Sequence, residues 1–83
     1  PTPNSIAAVY NPARNEVYVT HRNARQISVI DANTYSLKHT IKTAAMPNSM
    51  VLSPDSKTLF VSVKQDEKAT QADYVLKLDL TQF

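Results

Sequence analysis

Asn15-Glu16-Val17-Tyr18-Val19-Thr20-His21-Arg22-Asn23-Ala24-Arg25-Gln26-Ile27-Ser28-Val29-Ile30-Asp31 reads as two short strands, rich in β-branched and aromatic residues, around a polar, basic loop. A variant of the stretch returns later in the chain. Leu59-Phe60-Val61-Ser62 matches Val17-Tyr18-Val19-Thr20, and Tyr74-Val75-Leu76-Lys77-Leu78-Asp79 matches Gln26 to Asp31. The recurrence makes the stretch part of a repeat unit rather than a lone hairpin.

Upstream, Pro3-Asn4-Ser5 leads into the apolar Ile6-Ala7-Ala8-Val9-Tyr10, followed by the turn chemistry of Asn11-Pro12-Ala13-Arg14-Asn15, where Asn15 tolerates a left-handed conformation. Downstream, Asp31-Ala32-Asn33-Thr34 is a turn whose Asp31 and Asn33 suit local backbone bonding, and a fourth strand is predicted over 35–42. In that strand Leu37, His39 and Ile41 alternate with Lys38, Thr40 and Lys42, a half-buried pattern. The first strand and Val17 to Val19 lack clean alternation and are expected to be buried on both sides. Pro47-Asn48-Ser49 then repeats Pro3-Asn4-Ser5 at an offset of 47 − 3 = 44 residues. Met50 to Leu52 repeats the first strand, and Ser53-Pro54-Asp55-Ser56-Lys57 the turn.

An apolar inner strand, an amphipathic outer strand and a repeat of this length describe an all-β chain, a β-propeller fragment of two four-stranded antiparallel blades. The predicted blades are 1–46 and 47–83, both parts of one larger propeller domain. The second copy ends after its third strand, so its outer strand is expected from another segment, most simply the N-terminal strand that closes the ring of a longer chain.

The 83 residues are 42% hydrophobic and 19% charged, with a formal charge of +2 and a pI near 9.1, so attraction to polyanions is permitted but mild. The absence of glycine rules out the Walker loop, the dinucleotide fingerprint and the nucleophile elbow, which need close backbone approach or positive φ. The absence of cysteine excludes disulfides and thiolate metal sites. No apolar run approaches the roughly 20 residues of a membrane-spanning helix, and no membrane insertion is expected of this segment. No signal peptide is visible at Pro1-Thr2-Pro3.

Val17-Tyr18-Val19-Thr20-His21, then Ile27-Ser28-Val29-Ile30-Asp31, then Ser53-Pro54-Asp55-Ser56-Lys57-Thr58-Leu59-Phe60-Val61 resemble the YVTN family of β-propeller repeats. Asn11-Pro12-Ala13-Arg14-Asn15-Glu16 and Val61-Ser62-Val63-Lys64-Gln65 bring the resemblance closest to the C-terminal two blades of its YncE-type periplasmic proteins, over nearly the whole chain. His21 stands where the family has Asn, and Ser56 where the turn usually has Gly. The resemblance implies a seven-bladed propeller, a periplasmic location, no cofactor, and a role in which DNA binding is suggested.

In such a blade the loop before the first strand and the loop between the second and third share one rim. That rim receives Pro3, Asn4, His21, Arg22, Asn23, Arg25, Pro47, Asn48, Lys64, Gln65 and Lys68. The candidate binding residues are His21, Arg22, Asn23, Arg25, Asn48 and Lys64, whose basic and amide groups suit phosphate or carboxylate, including single-stranded DNA. Asp66, Glu67 and Asp73 oppose that attraction. Tyr18 and Phe60 occupy matched positions and are expected to pack. His21 and His39 fall too far apart to share a metal, and no catalytic residue is identified. The expected function is a non-catalytic binding or scaffold propeller. The alternatives are a propeller enzyme of lactonase or quinoprotein type with a site at the central channel, and a cell-surface adhesion repeat.

Overall fold

The computed structural model describes residues 6–64 and 73–83. Seven strands run in chain order: β1 (Ala8–Asn11), β2 (Glu16–His21), β3 (Gln26–Asp31), β4 (Leu37–Lys42), β5 (Met46–Leu52), β6 (Thr58–Lys64) and β7 (Tyr74–Asp79), followed by a 3₁₀ turn, Leu80–Gln82. β1 to β4 form one antiparallel meander and β5 to β7 a second, each in sequence order. The chain is all-β, two successive propeller blades with four and three strands among the described residues.

The turns follow their side chains. Asn11 Oδ1 accepts from the Ala13 and Arg14 amides at 3.0 and 3.3 Å, and Asp31 Oδ1 from the Asn33 and Thr34 amides at 2.8 and 3.2 Å. Asn15, Arg25, Tyr35 and Ser56 take positive φ, near 52°, 54°, 61° and 63°, the region that favours glycine and that this chain fills without any. Asp79 ends β7 and accepts from the Thr81 amide at 2.9 Å, the same turn-capping duty that Asp31 performs after β3.

The ladders reproduce the repeat. Val9 pairs with Tyr18 and Tyr18 with Val29, while Val51 pairs with Phe60 and Phe60 with Lys77. Residues that match in sequence therefore occupy the same place in each blade.

The core lies between the sheets. The first blade contributes Tyr18, Ile27, Val29 and Ile41; the second contributes Met50, Leu59, Val61 and Val63, with Leu80 from the 3₁₀ turn. β5 crosses against β1, β2 and β3, so the blades stack face to face. The three-residue connection from β4 to β5 is buried at Thr43 and Ala45, and Thr43 Oγ1 donates to the Ala45 carbonyl at 2.7 Å.

Several expectations need correcting. β5 begins at Met46 rather than Met50, because β6 pairs back to Met46 with a bulge between Pro47 and Ser49, so Pro47 and Asn48, read as a loop, lie within a strand. β1 begins at Ala8 rather than Ile6 and alternates, with Val9 and Asn11 inward and Ala8 and Tyr10 outward. β2 is not buried on both sides, because Glu16, Tyr18 and Thr20 are fully covered while Val17 and Val19 are half-buried on the opposite face. β4 begins at Leu37, since Tyr35 is committed to the positive-φ turn, and only Ile41 of its expected half-buried face is covered. A register shift opposite Val29 and Ile30 interrupts the alternation and leaves Leu37 61% exposed.

Candidate functional site

The predicted rim is assembled by the strand ends. Thr20 donates its amide to the Ala7 carbonyl at 3.0 Å, which sets the start of the first blade beside the β2–β3 turn. The Thr43 amide donates to the Arg25 carbonyl at 2.9 Å, tying that turn to the inter-blade connection. Met46 pairs with Lys64, so the end of β6 lies at the same rim. Pro3, Asn4, Gln65, Asp66, Glu67 and Lys68 lie outside the described residues.

The six candidate residues divide into two concavities and one residue apart from both. His21, Arg22 and Asn23 line a hollow of about 230 Å³ with Ile6 and Ala24. Asn48 and Lys64 line a second, of about 380 Å³, with Ser62, Val63, Asp73, Tyr74 and Val75. Arg25 joins neither; its guanidinium reaches the Ala44 carbonyl at 3.5 Å and its backbone closes the turn on Arg22 at 3.1 Å.

His21 is engaged by its own sheet. Its Nε2 lies 2.8 Å from Ser28 Oγ across the β2–β3 ladder. The spacing is that of a base and its hydroxyl, but Ser28 is only 8% exposed, so the hydroxyl is closed to a substrate. Arg22 Nε is buried with no hydrogen-bond partner among the described residues, so what this side chain offers solvent comes from its terminal nitrogens. The second hollow is chemically richer. Lys64 supplies a cation, Asn48 an amide, and Tyr74 an aromatic face that is 40% exposed. Asp73 tempers the positive charge there.

Tyr74 is the site residue that the sequence reading passed over. Its match in the first copy is Gln26, so an aromatic at the start of β7 breaks the repeat, and a break of that kind at a rim is the available signal.

A second polar cluster was also missed, and it lies at the opposite end of the blade. Glu16, 2% exposed, accepts from Arg14 Nε at 2.9 Å, from Lys38 Nζ, and from the Tyr18 hydroxyl at 3.0 Å. Burial pushes the Glu16 carboxyl up, but the bonds from Lys38, Arg14 and Tyr18 outweigh it and leave its pKa lowered. Burial raises the Tyr18 hydroxyl, with the Asn11 bond opposing. Asn11 Nδ2 donates to the Tyr18 hydroxyl at 3.0 Å and to the Ser56 carbonyl of the second blade at 3.1 Å, while Arg14 donates to the Phe83 carbonyl at 2.7 Å. The cluster thus links the blades. Its acid is matched to cations and its hydroxyl is covered, an arrangement suited to holding structure rather than to moving protons.

Set beside known proteins, the chain is 55% identical over 82 residues to a Salmonella typhi protein named uncharacterized protein YncE. The chain is YncE-like. Proteins of the same name from Salmonella typhimurium and Escherichia coli K12 are 54% and 52% identical. Each alignment takes in 94% of this chain and 23% of the relative, so the chain spans under a quarter of the proteins it matches. No family model matches the chain. Among the described residues no helix is long and apolar enough to cross a membrane, and no group of three His, Asp or Glu is arranged to hold a metal ion.

Proposed function

We propose that the chain is a pair of YVTN-type blades of a larger periplasmic propeller, acting as a non-catalytic scaffold whose rim binds short single-stranded nucleic acid. Further blades cover its open faces, and a strand from another segment pairs the free edge of β7. The observation that carries the ligand class is the 380 Å³ hollow in which Tyr74 stands beside Lys64 and Asn48. An aromatic face with an adjacent cation and amide suits a base stacked on a ring and a phosphate held nearby. The mild net charge of +2 agrees with modest affinity and a salt slope of only a few phosphate contacts.

The test is fluorescence anisotropy of a labelled oligo-dT against the protein at several salt concentrations. Lys64→Ala is expected to lower the salt slope by about one phosphate contact. Tyr74→Ala is expected to weaken binding by roughly 5- to 150-fold with the slope kept, the range of base–aromatic stacking. Arg22→Ala and Arg25→Ala lower the slope if the other half of the rim takes part. Absence of binding at low salt, or binding that Tyr74→Ala and Lys64→Ala leave unaltered, refutes the proposal.

A further inference from the structure

At the end of the blades opposite the rim, a cleft of about 220 Å³ opens where the two blades of this chain meet. The β1–β2 turn brings Ala13 and Arg14 to it, and the β5–β6 turn brings Asp55, Ser56 and Lys57. Leu80 and Thr81 of the 3₁₀ turn complete the lining. Cross-ties hold these segments in place. Asn11 Nδ2 donates to the Ser56 carbonyl at 3.1 Å, and Arg14 Nη2 to the Phe83 carbonyl at 2.7 Å, so both join one blade to the other. The Leu80 amide donates to the Lys57 carbonyl at 2.9 Å, which fixes the 3₁₀ turn against the β5–β6 turn. Ser56 keeps a φ of 63° there, a conformation unfavourable for serine and of the kind that recurs where a ligand is clamped.

The charges around the cleft do not cancel. Glu16 is shared between Arg14 and Lys38, the two ion pairs of the described residues, so Lys57 has none among them. Asp55 is the carboxylate in the lining, and its Oδ1 already accepts from the Ser53 hydroxyl at 2.6 Å and the Lys57 amide at 3.0 Å. Three cations, Arg14, Lys38 and Lys57, thus stand against two carboxylates, Glu16 and Asp55, while Lys77 and Asp79 in the adjoining hollow offset each other. One positive charge is left over. Arg14 Nε and Nη2 are taken by Glu16 and Phe83, and its Nη1 makes no hydrogen bond among the described residues. The remainder of the surface is apolar, from Ala13 and the aliphatic stems of Arg14 and Lys57. With about 30 Å³ for each water of the liquid, the cleft has room for roughly seven non-hydrogen atoms.

We propose that this cleft binds a short-chain monocarboxylate, its carboxylate between Arg14 Nη1 and Lys57 Nζ and its alkyl tail against Ala13 and the stems of the two cations. The carboxylate supplies the one negative charge that the surroundings lack. A tail of a few carbons fills the remaining volume and covers apolar surface that an inorganic anion leaves wet. A free amine of the same size meets the wrong sign of charge. Because Arg14 is already held by Glu16 and Phe83, little side-chain freedom is lost when the carboxylate arrives. The cleft shares no residue with either rim hollow, so this site and the rim ligand stand or fall separately.

The test follows the amide chemical shifts of the protein by NMR as sodium butyrate is added, with 1-butanol and inorganic phosphate as parallel probes at one ionic strength. Butyrate is expected to move the amides of Arg14, Ser56, Lys57 and Thr81 with a dissociation constant on the order of 1 mM, as suits a ligand of about six non-hydrogen atoms. Butanol leaves these amides in place. Phosphate, which buries no methylene, binds at least about 4-fold more weakly. Lys57→Gln, an exposed substitution that keeps the strands by circular dichroism, weakens butyrate by about 5-fold, the upper range for an exposed charge pair. Arg14→Lys weakens it as well, since the charge stays but the planar donor geometry is lost. Lys64→Ala and Tyr74→Ala, the rim variants, leave butyrate binding unaltered. No shift of these amides at about 50 mM butyrate overturns the proposal. So does an equal response to butanol or phosphate, or an affinity that Lys57→Gln does not change.

Discussion

Replacing Glu16 by Gln removes one charge from a buried cluster while keeping size and shape, and the effect can be worked from its partners. Glu16 accepts from two cations and one hydroxyl. A hydrogen bond to a charged group contributes roughly 1.5–3 kcal/mol net. The side chains of Arg14 and Lys38 are 31% and 36% exposed, however, so a released cation recovers much of its hydration. That discount brings each bond to about 1 kcal/mol, and the expected loss at pH 7 is about 2 kcal/mol. With a urea slope of about 1 kcal/mol per molar for a chain this small, the midpoint falls by about 2 M. The pH dependence is the sharper readout. Because the folded carboxyl titrates below the usual glutamate value of 4.5, its contribution is fully present above 4.5 and disappears as pH falls through the folded value. The gap between parent and Glu16→Gln therefore closes in strong acid, and Asp55 and Asp79, also lowered, cancel from the comparison. Urea titrations at one protein concentration, at pH 7 and near pH 2, decide the matter. A gap under about 0.5 M at pH 7, or one that persists at low pH, refutes the reasoning.

Ser56→Gly relieves a positive-φ residue at 63°, and urea unfolding is expected to show a gain of about 0.5–1 kcal/mol after the added freedom of the unfolded chain is subtracted. Leu80→Ala empties a site that is 2% exposed in the core; the expected loss is about 2–5 kcal/mol, read from the same titration. Asn11→Ala severs the bonds to Tyr18 and to the Ser56 carbonyl together with the turn cap. It is expected to lower the thermal midpoint and the unfolding free energy by about 2 kcal/mol.

The elements were legible because local chemistry determines them. Asn11, Asp31 and Asp79 announce turns by the amides they bond, and the strands coincide with β-rich runs between such turns except at β5, which starts at Met46 and takes in Pro47, Asn48 and Ser49 ahead of the expected Met50 to Leu52. Which side of a strand is covered was less legible. In β2 the buried side carries Glu16 and Thr20, which look exposed in sequence, while the better-looking Val17 and Val19 are half-buried. Burial there is set by the neighbouring blade, and a carboxylate is admitted because Arg14 and Lys38, distant from each other in sequence, converge on it. Phe60 makes the same point from the other direction. It matches the buried Tyr18 and was expected to pack, yet it is 36% exposed, since the sheet that covers Tyr18 has no counterpart against Phe60 among the described residues. Of the expected rim residues, Arg22, Asn23 and Arg25 lie in the turn after β2, while Pro47, Asn48 and Lys64 lie within β5 and β6. The division of the rim into two hollows, and the place of Tyr74 in one of them, depend on side-chain directions that residue spacing does not report.

The connection Thr43 to Ala45 also limits how such a chain can change its length. Because side chains alternate along a strand, one residue added between Lys42 and Met46 must be taken up by the bulge that β5 already carries between Pro47 and Ser49, or it turns β5 over, sending Met50 and Leu52 outward and Ser49 and Val51 toward the core. The β2–β3 turn at Asn23 and Ala24 is exposed and carries no such parity, so a residue there is absorbed by the loop. Insertions and deletions in proteins of this pattern are accordingly expected to collect at the rim turns and to be purged from the joint between blades.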